Sequence, residues 1–374
     1  MKVIVAGDFC PRYNRVNNLI KDKSINPFAE ITHIVKQADI AILNFETTIE
    51  CQAQPIKKCG PNLRSVRESV DLIKDAGFNV ATLANNHTMD FGEDGLKSTV
   101  EELKSHSISV VGIGRNIQDA QKILYLKIDN KTLGIINCCE HEFSIATSDE
   151  WGANPLDLIN QYNAIKEAKN NADYVIVIVH GGHEMYQLPS SRMQDTYRYF
   201  VNLGADAVIN HHQHCYSGYE LYDGKPIFYG LGNLFFDIQD IGSHTMWNEG
   251  YMVELSLDDE IKFSLVPYIQ CVNDYKIQLL NDRNIFNSKI ATLNQIISQK
   301  KLLAKNNEDY YQTQSKELLS LFLPLSNRYI RYAYRKGLIP RIFKKKLLRY
   351  ILNLIDCESH RDKFTAILKE FTLK

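Results

Sequence analysis

Residues 80–90 read Val80-Ala81-Thr82-Leu83-Ala84-Asn85-Asn86-His87-Thr88-Met89-Asp90. The first four suit a short buried strand, and the chain then switches to amides, an imidazole and a carboxylate. The same transition recurs along the chain. Val3–Ala6 runs into Gly7-Asp8, Ile40–Leu43 into Asn44 and Glu46, Tyr174–Val179 into His180, and Asp206–Ile209 into His212 and His214. Each polar group stands at the carboxyl end of an expected strand. Ligands bind at that edge in open α/β sheets, so residues far apart in sequence can meet in one crevice.

Helical patterns separate these strands. Asn26-Pro27 followed by Phe28, Ile31, Ile34 and Val35 predicts a helix. Ser65-x-x-Glu68 reads as a capping box ahead of Val70, Leu72 and Ile73, with Gly77 closing that helix. Further helices are expected near Glu93–Ser105, Leu156–Asn170 and Arg192–Leu203, and further strands at Ile108–Val111, Ile123–Ile128 and Leu133–Cys138. This alternation implies a layered α/β core. From Tyr219 the pattern turns to hairpins, at Tyr219–Tyr222 with Ile227–Tyr229 and at Tyr251–Leu257 with Ile261–Tyr268. After about residue 271 helical periodicity dominates, so the expected division is a domain over 1–270 and a basic helical region over 271–374.

Composition narrows the class. With 374 residues, 44% hydrophobic and 23% charged, the chain has the profile of a globular protein with a sizeable core. Its formal charge of −1 points to no nucleic-acid partner. The eight cysteines show no CxxC spacing, and Met1-Lys2 runs straight into a strand without the apolar core of a signal peptide. Reduced thiols in a cytoplasmic protein are the expectation. No Gly-x-Ser-x-Gly elbow occurs, and Gly112-Ile-Gly114 lacks the third glycine of a dinucleotide cradle.

Carboxylates, neutral imidazoles and an amide carbonyl suit Mn, Fe or Zn better than an all-thiolate site. A centre of two divalent ions follows, with a carboxylate as the bridge. The ordered set Gly7-Asp8, Asn44-Phe45-Glu46, Asn85-Asn86-His87 with Asp90, His180-Gly-Gly-His183-Glu184, His211-His212-Gln213-His214 and Gly230-Leu-Gly232-Asn233 resembles the CapA family of capsule and poly-γ-glutamate synthesis. That resemblance spans roughly residues 1–240. It implies a calcineurin-like metallophosphoesterase fold, a four-layer αββα sandwich, and a metal-dependent hydrolase of the phosphoesterase class, acting on an anionic or phosphorylated surface-polymer precursor.

Carried over by position, the resemblance implies Asp8, Glu46, Asn86, His180, His212 and His214 as metal ligands, with Glu46 bridging. Asp8 and His214 would serve one ion, and Asn86, His180 and His212 the other. It implies His87 as general acid, Asp90 and Glu184 as groups that orient imidazoles, and Asn44, Asn233 and His183 as substrate contacts. Two departures stand out: Cys10 occupies a place where a ligand histidine is usual in metallophosphoesterases, and Gly181 replaces a frequent tryptophan. Loss of that histidine keeps a second reading open, a non-catalytic assembly or binding component of a polymer-synthesis machine.

The C-terminal region carries one further signal. From Asn327 to Ile355 there are nine cations, Arg328, Arg331, Arg335, Lys336, Arg341, Lys344, Lys345, Lys346 and Arg349, and no acid until Asp356. Tyrosines and aliphatic residues interleave with them. Peripheral contact with the inner face of a membrane through 327–355 is the functional expectation; a packed helix with a solvated basic face is the alternative.

Overall fold

In the computed structural model, described over residues 1–237, 242, 244–320, 327–338 and 345–356 with 360, 364, 365 and 368, two sheets stack face to face. The first runs Ile277–Leu279, Ile261–Gln270, Glu249–Leu257, Lys2–Cys10, Ile40–Phe45, Val80–Thr82, Ser109–Val111, with Asn233–Phe236 added beside the end of Lys2–Cys10. The second runs Tyr219–Tyr222, Lys225–Phe228, Ala207–His211, Tyr174–His180, Lys131–Cys139, Leu124–Ile128. Both have parallel centres: Lys2–Cys10 with Ile40–Phe45 in one, and Lys131–Cys139, Tyr174–His180 and Ala207–His211 in the other.

Side-chain alternation explains the layers. Val3, Val5, Ile40 and Ile42 join one core with Ile135, Ile176 and Val208 of the second sheet. Ile4, Ala6, Ala41 and Leu43 point the other way, into a core shared with Val16 and Ile20 of the Asn14–Lys21 helix, Ile73 of Glu68–Ala76 and Leu103 of Gly92–Ser105. Tyr197 and Phe200 of the Ser191–Leu203 helix and Ile165 of Leu158–Asn171 cover the far side of the second sheet. The result is the expected helix–sheet–sheet–helix sandwich, followed by C-terminal helices at Lys300–Ser320, Arg328–Arg335 and Lys345–Asp356.

Several local expectations are corrected. The segment beginning Asn26-Pro27 forms turns and only one helical stretch, Thr32–Val35; its apolar residues pack without completing a longer helix. Ser65 does not cap a helix: it lies in the Arg64–Ser65 strand, and its hydroxyl donates to Pro11 O at 2.8 Å. The helix starts instead after Arg67, and Gly77 closes it in the left-handed region. The helix at Asn14–Lys21 is too short and too rich in amides to stand out from its pattern.

The first compact unit continues to Asn307, past the boundary expected at 270. Ile277–Leu279 extends the first sheet, and Phe286, Ile290, Leu293 and Ile297 of the Asn284–Ser298 helix enter the main core. Residues 308–374 form a second unit. The basic positions Arg341 and Lys344 lie outside the described residues.

Candidate metal centre

Asp8 is placed by a close approach that only glycine permits. A Cβ on Gly7 would sit 1.9 Å from Gly232 O, so the two strands carrying Asp8 and Asn233 can pair directly. Asp8 N donates to Gly232 O at 3.2 Å. Asn44 and Glu46 leave the adjacent parallel strand, while His180 and His211 end neighbouring strands of the second sheet. The carboxyl edges of both sheets therefore open on one buried cluster.

The ligand atoms of Asp8, Glu46 and His180 lie within 4.8 Å of one another, as do those of Glu46, His212 and His214. Glu46 belongs to both groups. Its Oε1 stands 3.6 Å from His180 Nε2 and 3.7 Å from His214 Nε2, yet has no hydrogen-bond partner. Asn86 Oδ1 adjoins the cluster, 3.0 Å from His180 Nε2. His212 Nδ1 is buried and also unpartnered. His214 Nδ1 also lies 3.5 Å from Asp8 Oδ2, and the His180 and His212 rings are 4.7 Å apart.

The electrostatics of the cluster suit a cation. Burial, then the neighbouring charge of Asp8, pushes Glu46 well above the usual carboxylate range. Burial also works to raise Asp8, but hydrogen bonds and charge from His211 and His214 hold it well below its ordinary value. Burial lowers His180 strongly and His212 less, keeping imidazole lone pairs available. A carboxylate oxygen without a hydrogen-bond partner among the described residues, facing two imidazoles, is the environment a divalent cation would satisfy.

The surroundings fix these groups. Asn44 is fully buried, and its amide donates to Asp8 Oδ1 at 2.8 Å and Glu46 Oε2 at 3.4 Å, and meets His180 Nδ1 at 3.2 Å. Asn233, equally buried, meets His214 Nδ1 through Oδ1 at 3.0 Å and donates to His214 O and Trp247 O. Both were expected at the substrate; their amides meet the carboxylates and imidazoles of the candidate ligand set, in the manner of groups that orient metal-binding imidazoles. His183 lies at the rim, its ring 6.3 Å from Tyr186. Glu184 is exposed and hydrogen-bonds no imidazole among the described residues; its charge still reaches Glu46 and His212. His212 and His214 both adopt positive φ, 89° and 53°, a conformation costly outside glycine.

His87 Nδ1 is 2.7 Å from Asp90 Oδ2, and burial lowers the imidazole despite the opposing pull of Asp90. Asp90 also accepts from Leu63 N at 2.6 Å and pairs with Lys58. The Lys58 side chain is 2% exposed and its ammonium lies 3.2 Å from His87 Nδ1. Lys58 escaped the sequence reading because it sits in an irregular loop with no strand before it. His211, 3.1 Å from Asp8 Oδ1, and Trp247, its ring centre 4.7 Å from that of His214 at a tilt of 40°, were missed likewise. Only the His-His-Gln-His run hinted at the former.

Cys10 is fully buried. It packs with Leu63, Phe236 and Trp247, and burial together with the charges of Asp237 and Glu46 pushes its thiol well up.

The family model described as bacterial capsule synthesis protein PGA_cap matches residues 2–238. Capsule biosynthesis protein CapA of Bacillus anthracis is 34% identical over 220 residues, 56% of this chain and 53% of that protein. PGA biosynthesis protein CapA of Bacillus subtilis (strain 168) is 35% identical over 217 residues, 56% of each chain. The chain thus spans about half the length of the curated relatives it matches. Among solved structures, a putative 5'-nucleotidase from Staphylococcus aureus in complex with alpha-ketoglutarate aligns with TM-score 0.46 and 17% identity, covering 78% of this chain and 58% of that one. A novel phosphatase from Mycoplasma pneumoniae gives the same TM-score and identity, covering 73% and 94%.

Proposed function

Since the chain belongs to the bacterial capsule synthesis protein (PGA_cap) family, we propose that it is a dinuclear-metal hydrolase, a phosphoesterase acting on a precursor of a surface polymer such as poly-γ-glutamate. The observation that carries this reading is Glu46: one fully buried carboxylate shared by two candidate ligand groups, with an oxygen that no group among the described residues satisfies.

Asp8, Glu46, Asn86, His180, His212 and His214 would hold the ions. Two divalent ions held there would supply Lewis acidity and would activate water at neutral pH. The protein's own groups do the rest. Asp90 holds the Nδ1 side of His87, leaving Nε2 to deliver a proton to the departing oxygen. The burial that lowers His87 makes its protonated form the stronger acid. Lys58 ties Asp90 in place, while Asn44 and Asn233 keep the carboxylates and His214 in register.

A second reading, a non-catalytic binding component, draws on Cys10, which leaves the Asp8 side without the ligand usual in metallophosphoesterases. The two separate experimentally. Metal analysis of the purified chain, followed by p-nitrophenyl phosphate hydrolysis after chelation and reloading with Mn or Zn, should show bound metal and restored turnover. Bound metal with no turnover across phosphoesters would favour the second reading; failure to bind metal would remove the basis of the first.

A further inference from the structure

The C-terminal helices carry charge and apolar surface that the proposed hydrolytic site does not use. No helix among the described residues is long and apolar enough to cross a membrane. The Lys345–Asp356 helix is nonetheless amphipathic: its pitch gathers Leu347, Tyr350, Ile351, Leu354 and Ile355 on one broad side, with Arg349 and Asn353 opposite. Much of that side faces water, with Leu347 47%, Tyr350 59% and Ile355 51% exposed.

The Arg328–Arg335 helix has the same mixed character. Asn327 caps it by accepting from Tyr329 N and Ile330 N, and Tyr334 is buried. Tyr329 and Tyr332 project outward, 68% and 55% exposed, and the Arg328 guanidinium lies 4.7 Å from the centre of the Tyr329 ring. Across 327–355 the sequence holds no acid at all.

We propose that the Arg328–Arg335 and Lys345–Asp356 helices are peripheral docking elements for an anionic lipid bilayer. Charge alone would suit any polyanion. Exposed leucine, isoleucine and tyrosine beside the cations need an apolar phase as well, and the interface of an anionic leaflet offers both. Cations near such a surface each strengthen partitioning about fivefold, so several acting together give firm but salt-sensitive attachment.

The test is co-sedimentation of the full chain with vesicles of phosphatidylglycerol and phosphatidylcholine, against phosphatidylcholine alone, at low and high salt. The charge variant carries Arg328→Gln, Arg331→Gln, Lys336→Gln and Arg349→Gln; Arg335 is kept because it pairs with Glu317. The apolar variant carries Leu347→Ser and Ile355→Ser. Far-UV circular dichroism verifies that helix content is retained. The expected result is binding to anionic vesicles only, reduced by salt, and weakened at least about tenfold in each variant. Absence of binding, equal binding to neutral vesicles, or an unaffected charge variant overturns the proposal. An apolar variant that binds like the parent, with soluble polyglutamate displacing the protein, would assign the surface to a polyanion and overturn it equally.

Discussion

Replacing Asn44 by aspartate tests the buried cluster at its centre. Asn44 is fully buried and donates to Asp8 and Glu46 at 2.8 and 3.4 Å. An ionised aspartate there would repel Asp8 by about 6 kcal/mol even at an effective dielectric constant of about 20. Taking up a proton is cheaper. Holding a carboxyl neutral at pH 7 when its unfolded value is about 3.9 costs about 4 kcal/mol, so the metal-free cluster gains one proton on folding. The folded pKa is then raised above the unfolded one, so the variant's relative stability is fully present below about pH 4 and lost as pH rises towards the folded value. The expected penalty is about 4 kcal/mol at pH 7 and about 1.5 kcal/mol at pH 5. Asn44→Ala, which loses the donated bonds and leaves a small cavity, should cost about 2–4 kcal/mol with much weaker pH dependence. Urea unfolding of chelated protein from pH 5 to 7.5, followed by fluorescence of Trp151 and Trp247, measures both, and added Mn or Zn should shrink the aspartate penalty because a cation replaces the proton. A penalty flat in pH, or under about 1 kcal/mol at pH 7, would refute the account of a donor-dependent carboxylate cluster.

His87→Ala should lower turnover of p-nitrophenyl phosphate by about 100- to 10,000-fold while metal content, read by elemental analysis, stays unchanged. Because the protonated imidazole is the active acid and burial lowers its pKa, kcat/KM should decline as pH rises through a value below about 6.5, and Asp90→Asn should move that decline to lower pH; an upward move would contradict the assigned roles. Gly7→Ala forces apart backbones that would meet at 1.9 Å, so it should destabilise the chain by about 2–4 kcal/mol and weaken metal binding, measured by urea unfolding and isothermal titration. Asp237, pushed up to about 6 chiefly by burial against two backbone donors, makes folding weaker as pH rises from about 4 to about 6. The difference in unfolding free energy between the parent and Asp237→Asn should therefore change by about 3 kcal/mol, in the variant's favour, across that window.

Most of the fold was legible because its central strands are short apolar runs that end abruptly in polar residues. Val3–Ala6 and Tyr174–Val179 announce both their burial and their carboxyl ends, and those ends gather Asp8, Glu46, His180, His212 and His214. What stayed hidden depends on packing across the chain. Nothing local shows that Ser65 bonds Pro11, that Asn44 and Asn233 turn their amides towards ligands, or that Lys58 crosses to Asp90. Nor does composition show that Phe286 and Ile297 join the main core, which is why the first unit runs past residue 270.

The division of ligands between the two sheets links the site to the fold's stability. Asp8, Glu46 and Asn86 extend from the first sheet, whereas His180, His212 and His214 extend from the second. Asn233–Phe236 crosses back to pair with Lys2–Cys10, so Asn233, which meets His214 Nδ1 at 3.0 Å, stands beside Asp8, and His214 Nδ1 lies 3.5 Å from the Asp8 carboxylate. A cation held by both sets of ligands would bind the packed sandwich and not the unfolded chain, stabilising it by about 2.7 kcal/mol at one hundred times its dissociation constant. Metal-free, the same cluster opposes folding: it buries Glu46 beside Asp8 and holds His212 and His214 at positive φ. The centre is therefore a place where the apolar contacts of the two sheets outweigh a local electrostatic cost, and where a bound cation turns that cost into a contribution to stability.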